Sequence, residues 1–444
     1  MQSQRDYVLR TVEERGIRFV QLWFADVLGI PKGFNITPAE LENALDEGMT
    51  FDGSAIDGFS RVQEADVLAR PDPTTFQLLP WHHDDASVAR VFCDIANLDG
   101  TPFEGDPRHA LRRTLETAHA AGYTFFASPE LEYFYFADSD PDRGPVVLDS
   151  GSYFDLTVAD LTSDLRRRSV LALEEMGIPV EHTQHEDARS QHEIDLRYTD
   201  ALTMADTVMT ARMVIKEMAR QQGVFASFMP KPRAGVQGSG MHTHISLWQG
   251  ERNAFVDETD RYGLSDVARR FIAGLLHHAR EITAVTNQWV NSYKRLISGY
   301  EAPVHVSWAR NNRSALVRVP VVKMGKHEST RLEYRAPDSA CNPYLAFAVI
   351  LAAGLRGLRE DYPLPPEADD NLFALTPKDL AKKGIEPLPS NLNDAVNEME
   401  GSELLAETLG EHVFEWFIRN KRAEWDAYQA QVTQFELDRY LPLL

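Results

Sequence analysis

Residues 123–136, YTFFASPELEYFYF, constrain this chain more than any other segment. So dense a run of aromatic residues reads as one long strand. Side chains alternate across a strand, so Glu130 and Glu132 share one face while Leu131 and Tyr133 share the other. Two neighbouring carboxylates in apolar surroundings repel each other and lose hydration. A bound cation removes both penalties. The fold must therefore build a sheet around this strand and bring cation-binding groups to its acidic face.

Four later segments supply such groups. EHTQHEDARSQHEIDLR (181–197) places Glu186 and Glu193 at the two ends of a tight connection that holds Asp187, Arg189 and Ser190. Taken alone, this reads equally well as a solvated loop. In QGSGMHTHIS (237–246), Gly238 and Gly240 permit close backbone approach, and His242, His244 and Ser246 share a strand face. A His-x-His pair on a strand suits a metal beside a phosphate. The glycine pattern GVQGSG superficially matches a dinucleotide-binding fingerprint, but a strand follows where a helix is required. NSYKRLISGYEAP (291–303) reads as a flexible loop at Ser298-Gly299 carrying Arg295 and Glu301, and RNNRSALVR (310–318) supplies Arg313 and Arg318. In RLEYR (331–335), Arg331, Glu333 and Arg335 fall on one face, a carboxylate flanked by guanidinium groups suited to anions. Glu130, Glu132, Glu186, Glu193, His242 and Glu333 thus offer five carboxylates and one imidazole, a ligand supply for two divalent cations and phosphoryl chemistry on a nucleotide.

The rest of the chain sets the frame. Its 444 residues, 43% hydrophobic, allow a large core and more than one domain. A net charge of −22 argues against nucleic acid or an anionic membrane as partner. No apolar run approaches a membrane span, and residues 1–16 lack the apolar stretch of a signal peptide, so a cytoplasmic enzyme is expected. Cys93 and Cys341 sit in apolar surroundings and read as packing residues. Residues 7–16 read as a helix, 17–24 and 30–36 as strands around Gly29, and 38–48 as a helix capped by Thr37 with Pro38 at its first position. Further strands are expected at 75–79 and 88–95. The turn-rich stretch 97–107 marks a domain boundary. Beyond it helices alternate with strands: 161–176 reads as a helix ended by Gly177, and Val267, Phe271, Leu275 and Ile282 as one apolar helical stripe. His82-His83-Asp84-Asp85 reads as a surface loop and His278 as a core histidine. The apolar terminus, Tyr440-Leu-Pro-Leu-Leu444, needs cover from its own body or a neighbouring subunit.

FDGSAIDGF, SPELEYF, QHEDARSQHEID, GSGMHTHISL, NSYKRLISGYEAP, NNRSALVRVP and RLEYRAPDSACNPYL, in this order and spacing, resemble type I glutamine synthetase over essentially the whole chain. The resemblance implies an α+β fold, with a small N-terminal β-grasp domain (1–104) and a larger C-terminal catalytic α/β domain (105–444). It implies a homo-oligomer, a dodecamer of two hexameric rings with active sites shared between neighbours. Its substrates would be L-glutamate, ammonia and ATP, with two Mg2+ or Mn2+ per site and a γ-glutamyl phosphate intermediate. Glu132, Glu186 and Glu193 would hold one metal, and Glu130, His242 and Glu333 the other. Arg295 and Arg335 would grip the substrate carboxylates, beside Gly238 and Gln237. Arg313 and Arg318 would face the transferred phosphoryl group. Glu181, His244, Ser246, Lys326 and Arg331 would line the nucleotide site. Glu301 would ride on a closing flap. Asp52, reaching in from a neighbouring subunit, would deprotonate ammonium.

The chain also departs from that pattern. Ala55 stands where many members have a serine that helps hold ammonium, and Gln237 replaces an asparagine near glutamate. Gln184 replaces a histidine, Ser190 a glycine and Ser298 a proline. These changes resemble actinobacterial paralogues, some of which join glutamate to polyamines or other amines. A γ-glutamyl ligase for a larger amine is therefore the alternative to ammonia ligation, and an inactive structural relative a remote one, since all six ligands, Asp52 and Glu301 are present. Phe373 occupies the position of the tyrosine that some members adenylylate and has no hydroxyl to modify. Arg61 matches an arginine through which some members respond to glutamine.

Overall fold

A computed structural model describes residues 2–54, 56–59, 66–81, 87–156, 161–323 and 325–444. Ala55, Arg61 and the 82–85 run lie outside the described residues, as do the expectations attached to them.

The first sheet is built from β1 (Phe19–Ala25), β2 (Pro31–Ile36), β3 (Met49–Asp52), β4 (Asp66–Pro71), β5 (Gln77–Leu78) and β6 (Val88–Ala96). Its order is β2-β1-β6-β4-β3, with β5 also paired to β6. The β1–β6 pair is parallel and the others antiparallel. Helices Gln2–Glu14 and Pro38–Glu47 cover this sheet, burying Val8, Val12, Leu41 and Ala44 against Leu22, Phe24 and Val91. That is the β-grasp arrangement. Two local expectations need correction. The first helix begins at Gln2, well before residue 7. Thr37 occupies the N-cap position, but its side chain makes no capping hydrogen bond. The β1–β2 turn needs its glycine: Gly29 has φ +76°, and a Cβ there would lie 2.7 Å from Asn342 Cα.

The second sheet takes β7 (Thr124–Phe136), β8 (Val180–His185), β9 (Gln191–Leu196), β10 (Thr199–Asp200), β11 (Phe225–Ser227), β12 (Thr243–Gln249), β13 (Arg252–Asn253), β14 (Trp308–Ala309), β15 (Val317–Arg318) and β16 (Leu332–Tyr334). The main path runs β14-β15-β16-β12-β7-β9-β8, so the aromatic strand β7 is central. Helices Pro107–Ala120, Ala201–Gln221, Asp266–His277 and Pro343–Glu360 share one large apolar core with it, which holds Leu131, Tyr133, Ile245, Phe271 and Leu345. Leu161–Glu175 forms a helix as its pattern predicts, and Gly177 follows with φ +73°. The stripe from Val267 to Ile282 is split, because one helix ends at His277 and the next starts at Ala279. His278 at the break is 6% exposed and bonds Glu281 and Tyr362, as a satisfied core histidine should. Cys93 and Cys341 are both buried, and burial pushes both thiols up.

Arg108 fastens the two sheets together. Its guanidinium pairs with Asp72 and Asp94 on the first side at 3.0 and 2.5 Å, and with Asp206 on the second at 2.9 Å. The C-terminal helix Gln434–Tyr440 is followed by exposed Leu441, Leu443 and Leu444, so the chain's own body does not cover this end. No described helix is long and apolar enough to cross a membrane.

Candidate active site

Strand pairing alone assembles the acidic face. Glu132 lies opposite Glu193 and Glu130 opposite Asp195 across β7–β9. Glu333 lies opposite His244 across β12–β16 and opposite Arg318 across β15–β16. His242 joins because its carbonyl accepts from the Glu130 N–H at 2.9 Å. Residues far apart in sequence thus converge because each has the right parity on adjacent strands.

One half of the site is charge-balanced. Glu130 takes His242 Nδ1 at 3.1 Å and His244 Nε2 at 2.7 Å. Glu333 takes Arg318 and Arg335, each at 2.6 Å, and lies 3.7 Å from His242 Nδ1. Arg331 Nε donates to His244 Nδ1 at 3.2 Å. Burial pushes Glu130 upward, but the two histidines outweigh it and hold the carboxyl well below the usual range. Burial likewise opposes Glu333, and Arg335 with the histidines brings it below its usual value. Glu130, His242 and Glu333 present ligand atoms within 4.8 Å of one another.

The other half is not balanced. Glu132 accepts from Gly240 N at 2.6 Å and Gln191 Nε2 at 3.4 Å. Glu186 and Glu193 share the Gln184 amide, at 2.8 and 3.0 Å, and Glu186 also accepts from Asp187 N at 3.3 Å. Burial and then the charge of Glu132 push Glu186 up to about 8. Burial, followed by Asp195, Glu130 and the neighbouring glutamates, pushes Glu193 well above its usual value. Buried carboxylates held this way, without a basic partner, fit a hard divalent cation.

The remaining expected residues divide into two sets. Arg295 is not on a loop. It ends the short helix Ser292–Arg295, is 3% exposed, and donates to the carbonyls of Ala336 at 2.7 Å and Arg335 at 3.2 Å. It packs beneath the glycine segment: a Cβ on Gly240 would lie 2.6 Å from Arg295 Nη2, and one on Gly238 would lie 2.2 Å from the Pro230 carbonyl. Gln237 beside them is half-buried. Arg335 keeps a buried Nε with no hydrogen-bond partner among the described residues. Glu301 lies on a loop with φ +58°, and its carbonyl accepts from Arg335 at 3.3 Å. Ser246 is half-buried on the His244 face and accepts from Trp248. Arg313, Lys326 and Glu181 are exposed, Glu181 at a bulge in β8. Among the described residues no hydrogen bond or ion pair joins those three to the acidic face. Asp52 is exposed at the end of β3, where the Ser54 N–H and hydroxyl hold its carboxyl below the usual range. It lies on the first sheet, and among the described residues no hydrogen bond or ion pair joins it to the glutamates of the second.

Two features escaped the sequence reading. Burial, then the nearby charge of Glu186, raises the Tyr153 hydroxyl above its usual value, which puts this residue near the acidic face; it falls in no periodic segment. Asp149 holds the turn between Glu186 and Glu193. It accepts from Ser190 N at 2.7 Å, His185 Nε2 at 3.1 Å and Thr162 Oγ1 at 2.9 Å. Asp149, His185 and His192 cluster tightly enough for a metal. However, Arg166 donates to His192 Nδ1 at 2.6 Å, which puts that ring's proton on Nε2 and leaves it no lone pair there. The cluster is a support for the turn. The HxxxxxxH spacing of 185 and 192 was its one visible sign.

Residues 16–98 match the glutamine synthetase beta-Grasp domain and residues 104–440 the glutamine synthetase catalytic domain. The glutamine synthetase of Mycolicibacterium smegmatis is 56% identical over the full length of both chains. That of Thermotoga maritima is 47% identical, over 98% of this chain and 99% of its own. Among solved structures, the cryo-EM glutamine synthetase of Plasmodium falciparum superposes with a TM-score of 0.89 at 25% identity, covering 98% of each chain. A GmaS–ADP complex superposes with a TM-score of 0.87 at 33% identity, covering 98% of this chain and 99% of that one. Relatives of one name at such identity make the activity ATP-dependent ligation of ammonia to the γ-carboxylate of glutamate, and do not favour the larger amine. In both domains and along its whole length, the chain belongs to the glutamine synthetase family.

Proposed function

We propose that the balanced and unbalanced halves of the acidic face bind two Mg2+ or Mn2+ ions and divide the labour of one ligation. Glu132, Glu186 and Glu193 hold the first ion; Glu130, His242 and Glu333 hold the second. When bound, these ions neutralise charge on the phosphate oxygens and on the carboxylate under attack. The observation that carries this reading is the contrast, on one continuous sheet face, between Glu130 and Glu333, which hold two histidines and two arginines, and Glu186 and Glu193, which among the described residues hydrogen-bond only to amide N–H groups.

The side chains around that face supply the remaining steps. Arg295 and Arg335, with Gly238 and Gln237, orient glutamate so that its γ-carboxylate oxygen meets the γ-phosphorus of ATP. Arg313 and Arg318 stabilise charge on the transferring phosphoryl group. Glu181, His244, Ser246, Lys326 and Arg331 contact the nucleotide. The resulting γ-glutamyl phosphate hydrolyses readily, so the loop carrying Glu301 closes over it and excludes water. Asp52 takes a proton from ammonium; ammonia then attacks the acyl carbon and phosphate leaves.

In this reading Asp52 arrives from a second subunit, and the chain works as a ring assembly, a dodecamer of two hexamers; its domains divide near 104/105 and its location is cytoplasmic. Subunit mixing tests this. Asp52→Asn and Glu193→Gln proteins, each inactive alone, should regain part of the wild-type rate when co-assembled, because some interfaces then pair an intact Asp52 with an intact metal site. No recovery on co-assembly would place Asp52 and the metals in the same subunit.

A further inference from the structure

Lys231 is used by none of the roles above, yet it sits between the glycine segment and the loop that carries Glu301. It is 7% exposed, unusual for a lysine. Its backbone is fixed from both sides by one side chain: Lys231 N donates to Asn291 Oδ1 at 2.7 Å, and Asn291 Nδ2 donates to the Lys231 carbonyl at 3.1 Å. Asn291 immediately precedes the helix that ends in Arg295. The preceding carbonyl, of Pro230, accepts from Ser239 N at 2.8 Å and packs against Gly238. Among the described residues the ammonium has two partners. It donates to the carbonyl of Val236, at the start of the glycine segment, and lies 3.9 Å from the ring centre of Tyr300. Tyr300 is the residue before Glu301 on the loop beyond Gly299.

We infer that Lys231 is the latch of the flap: its ammonium clamps the Tyr300 ring to the Val236 carbonyl, and so sets Glu301 at a fixed height over residues 236–240 and Arg335. Lys231 is a positioning residue. A cation over a tyrosine face, with most of its water removed, is a directional contact that forms only when the ring arrives flat, so it selects one loop position. Burial and the nearby Arg295 guanidinium pull the ammonium down to about 8, so the ring and the carbonyl must supply what water no longer does. The latch rests on the assignment of residues 236–240 and Arg335 to glutamate.

Coupling is the readout that separates a latch from a packing residue. A loose flap admits water to γ-glutamyl phosphate, so phosphate is released in excess of glutamine. Lys231→Met, which keeps the stem but loses the charge and donor, should raise the phosphate-to-glutamine ratio well above that of the wild type and lower kcat/KM for glutamate about tenfold, the scale of one desolvated cation–ring contact. Tyr300→Leu should do the same, Tyr300→Phe should not, and Lys231→Met with Tyr300→Leu should be no worse than either alone. Should Lys231→Met fail to fold, the Tyr300 pair still decides, because that ring is half-buried on an otherwise exposed loop. Equal phosphate and glutamine in Tyr300→Leu, with kcat/KM within about twofold of wild type, would overturn the latch. The underlying assignment fails separately, if Arg335→Lys leaves the glutamate KM unchanged.

Discussion

The two halves of the acidic face carry the same kind of ligand and differ in how the protein treats the charge. Around Glu130 and Glu333 the fold places two histidines and two arginines within hydrogen-bonding range. Around Glu186 and Glu193 the described residues place the shared Gln184 amide and, for Glu186 alone, the Asp187 N–H at 3.3 Å, but no basic side chain within hydrogen-bonding range. The first half is stable in its charged form before any ion arrives; the second is held in a state that only an ion, or protons, can relieve. A divalent site therefore need not be prepared uniformly. One half can be a finished electrostatic structure that also grips anions, while the other stores repulsion that binding releases.

The sharpest way to break this comparison is to neutralise one carboxylate in each half. Glu193→Gln removes a metal ligand, so activity should fall by at least about a hundredfold, as loss of a metal contact does. Yet the metal-free protein should melt slightly higher, since one source of repulsion is gone. Glu333→Gln should also abolish activity, but it leaves two guanidinium groups without their buried partner and should destabilise the metal-free fold by ~3 kcal/mol. Thermal melts in chelator distinguish the two. If both variants shift stability in the same direction, the halves are not different in kind.

A smaller effect comes from the support beneath the unbalanced half. Asp149→Asn weakens the hold on Ser190 N and His185, and so on the turn between Glu186 and Glu193. Affinity for Mg2+ should drop about tenfold, the usual cost of losing an outer hydrogen bond to a metal site. Calorimetric titration of the apo protein measures it directly. Glutamate KM at saturating metal should stay unchanged.

The halves also differ in protons. Glu186, raised to about 8 from an ordinary 4.5, keeps its proton at pH 7 in the metal-free protein. A group raised on folding contributes stability that is fully present below its unfolded value and is lost as pH rises through the folded one, here from about 4.5 to about 8. Metal-free protein should therefore weaken across that window, and metal binding at pH 7 should release protons. Titration in buffers of different ionisation enthalpy reads the release, which should fade above pH 8. Proton release that persists unchanged at pH 9 would locate it elsewhere.

How much of this was legible beforehand depends on where the cause of each feature lies. Glu130 and Glu132 on one face of β7, and Arg331, Glu333 and Arg335 on one face around β16, follow from strand parity, which a sequence displays. That Glu132 faces Glu193, or Glu333 faces Arg318, depends on register between strands joined by long connections, and only the ordered family motifs brought these residues together in advance. Arg295 was misplaced on a loop because its burial is imposed by Gly238 and Gly240 from another segment. Asp149 and Tyr153 were missed for the same reason: they lie in irregular chain whose position is set by what it packs on. The split at His278 was hidden because a stripe of apolar residues continues in phase across two helices.

Gln184 tests the comparison most finely, because among the described residues it is the one polar partner that Glu186 and Glu193 share. Its Nε2 donates to both carboxylates while its buried Oε1 has no partner. An amide can moderate repulsion between two acids without neutralising either, so it leaves the ion needed and still lets the empty site fold. Gln184→Leu removes the donor and should push both glutamates further up, so that the metal competes with more tightly held protons. The apparent Mg2+ midpoint at pH 7 should rise only about two- to threefold, consistent with loss of one hydrogen bond to each of two carboxylates that the ion itself satisfies when bound. Gln184→His, able to carry charge, should move the same midpoint more at pH 6 than at pH 8, because a protonated imidazole between the glutamates does the ion's work and must be displaced. If Gln184→His shows no dependence on pH, the ring does not enter the gap between the two acids.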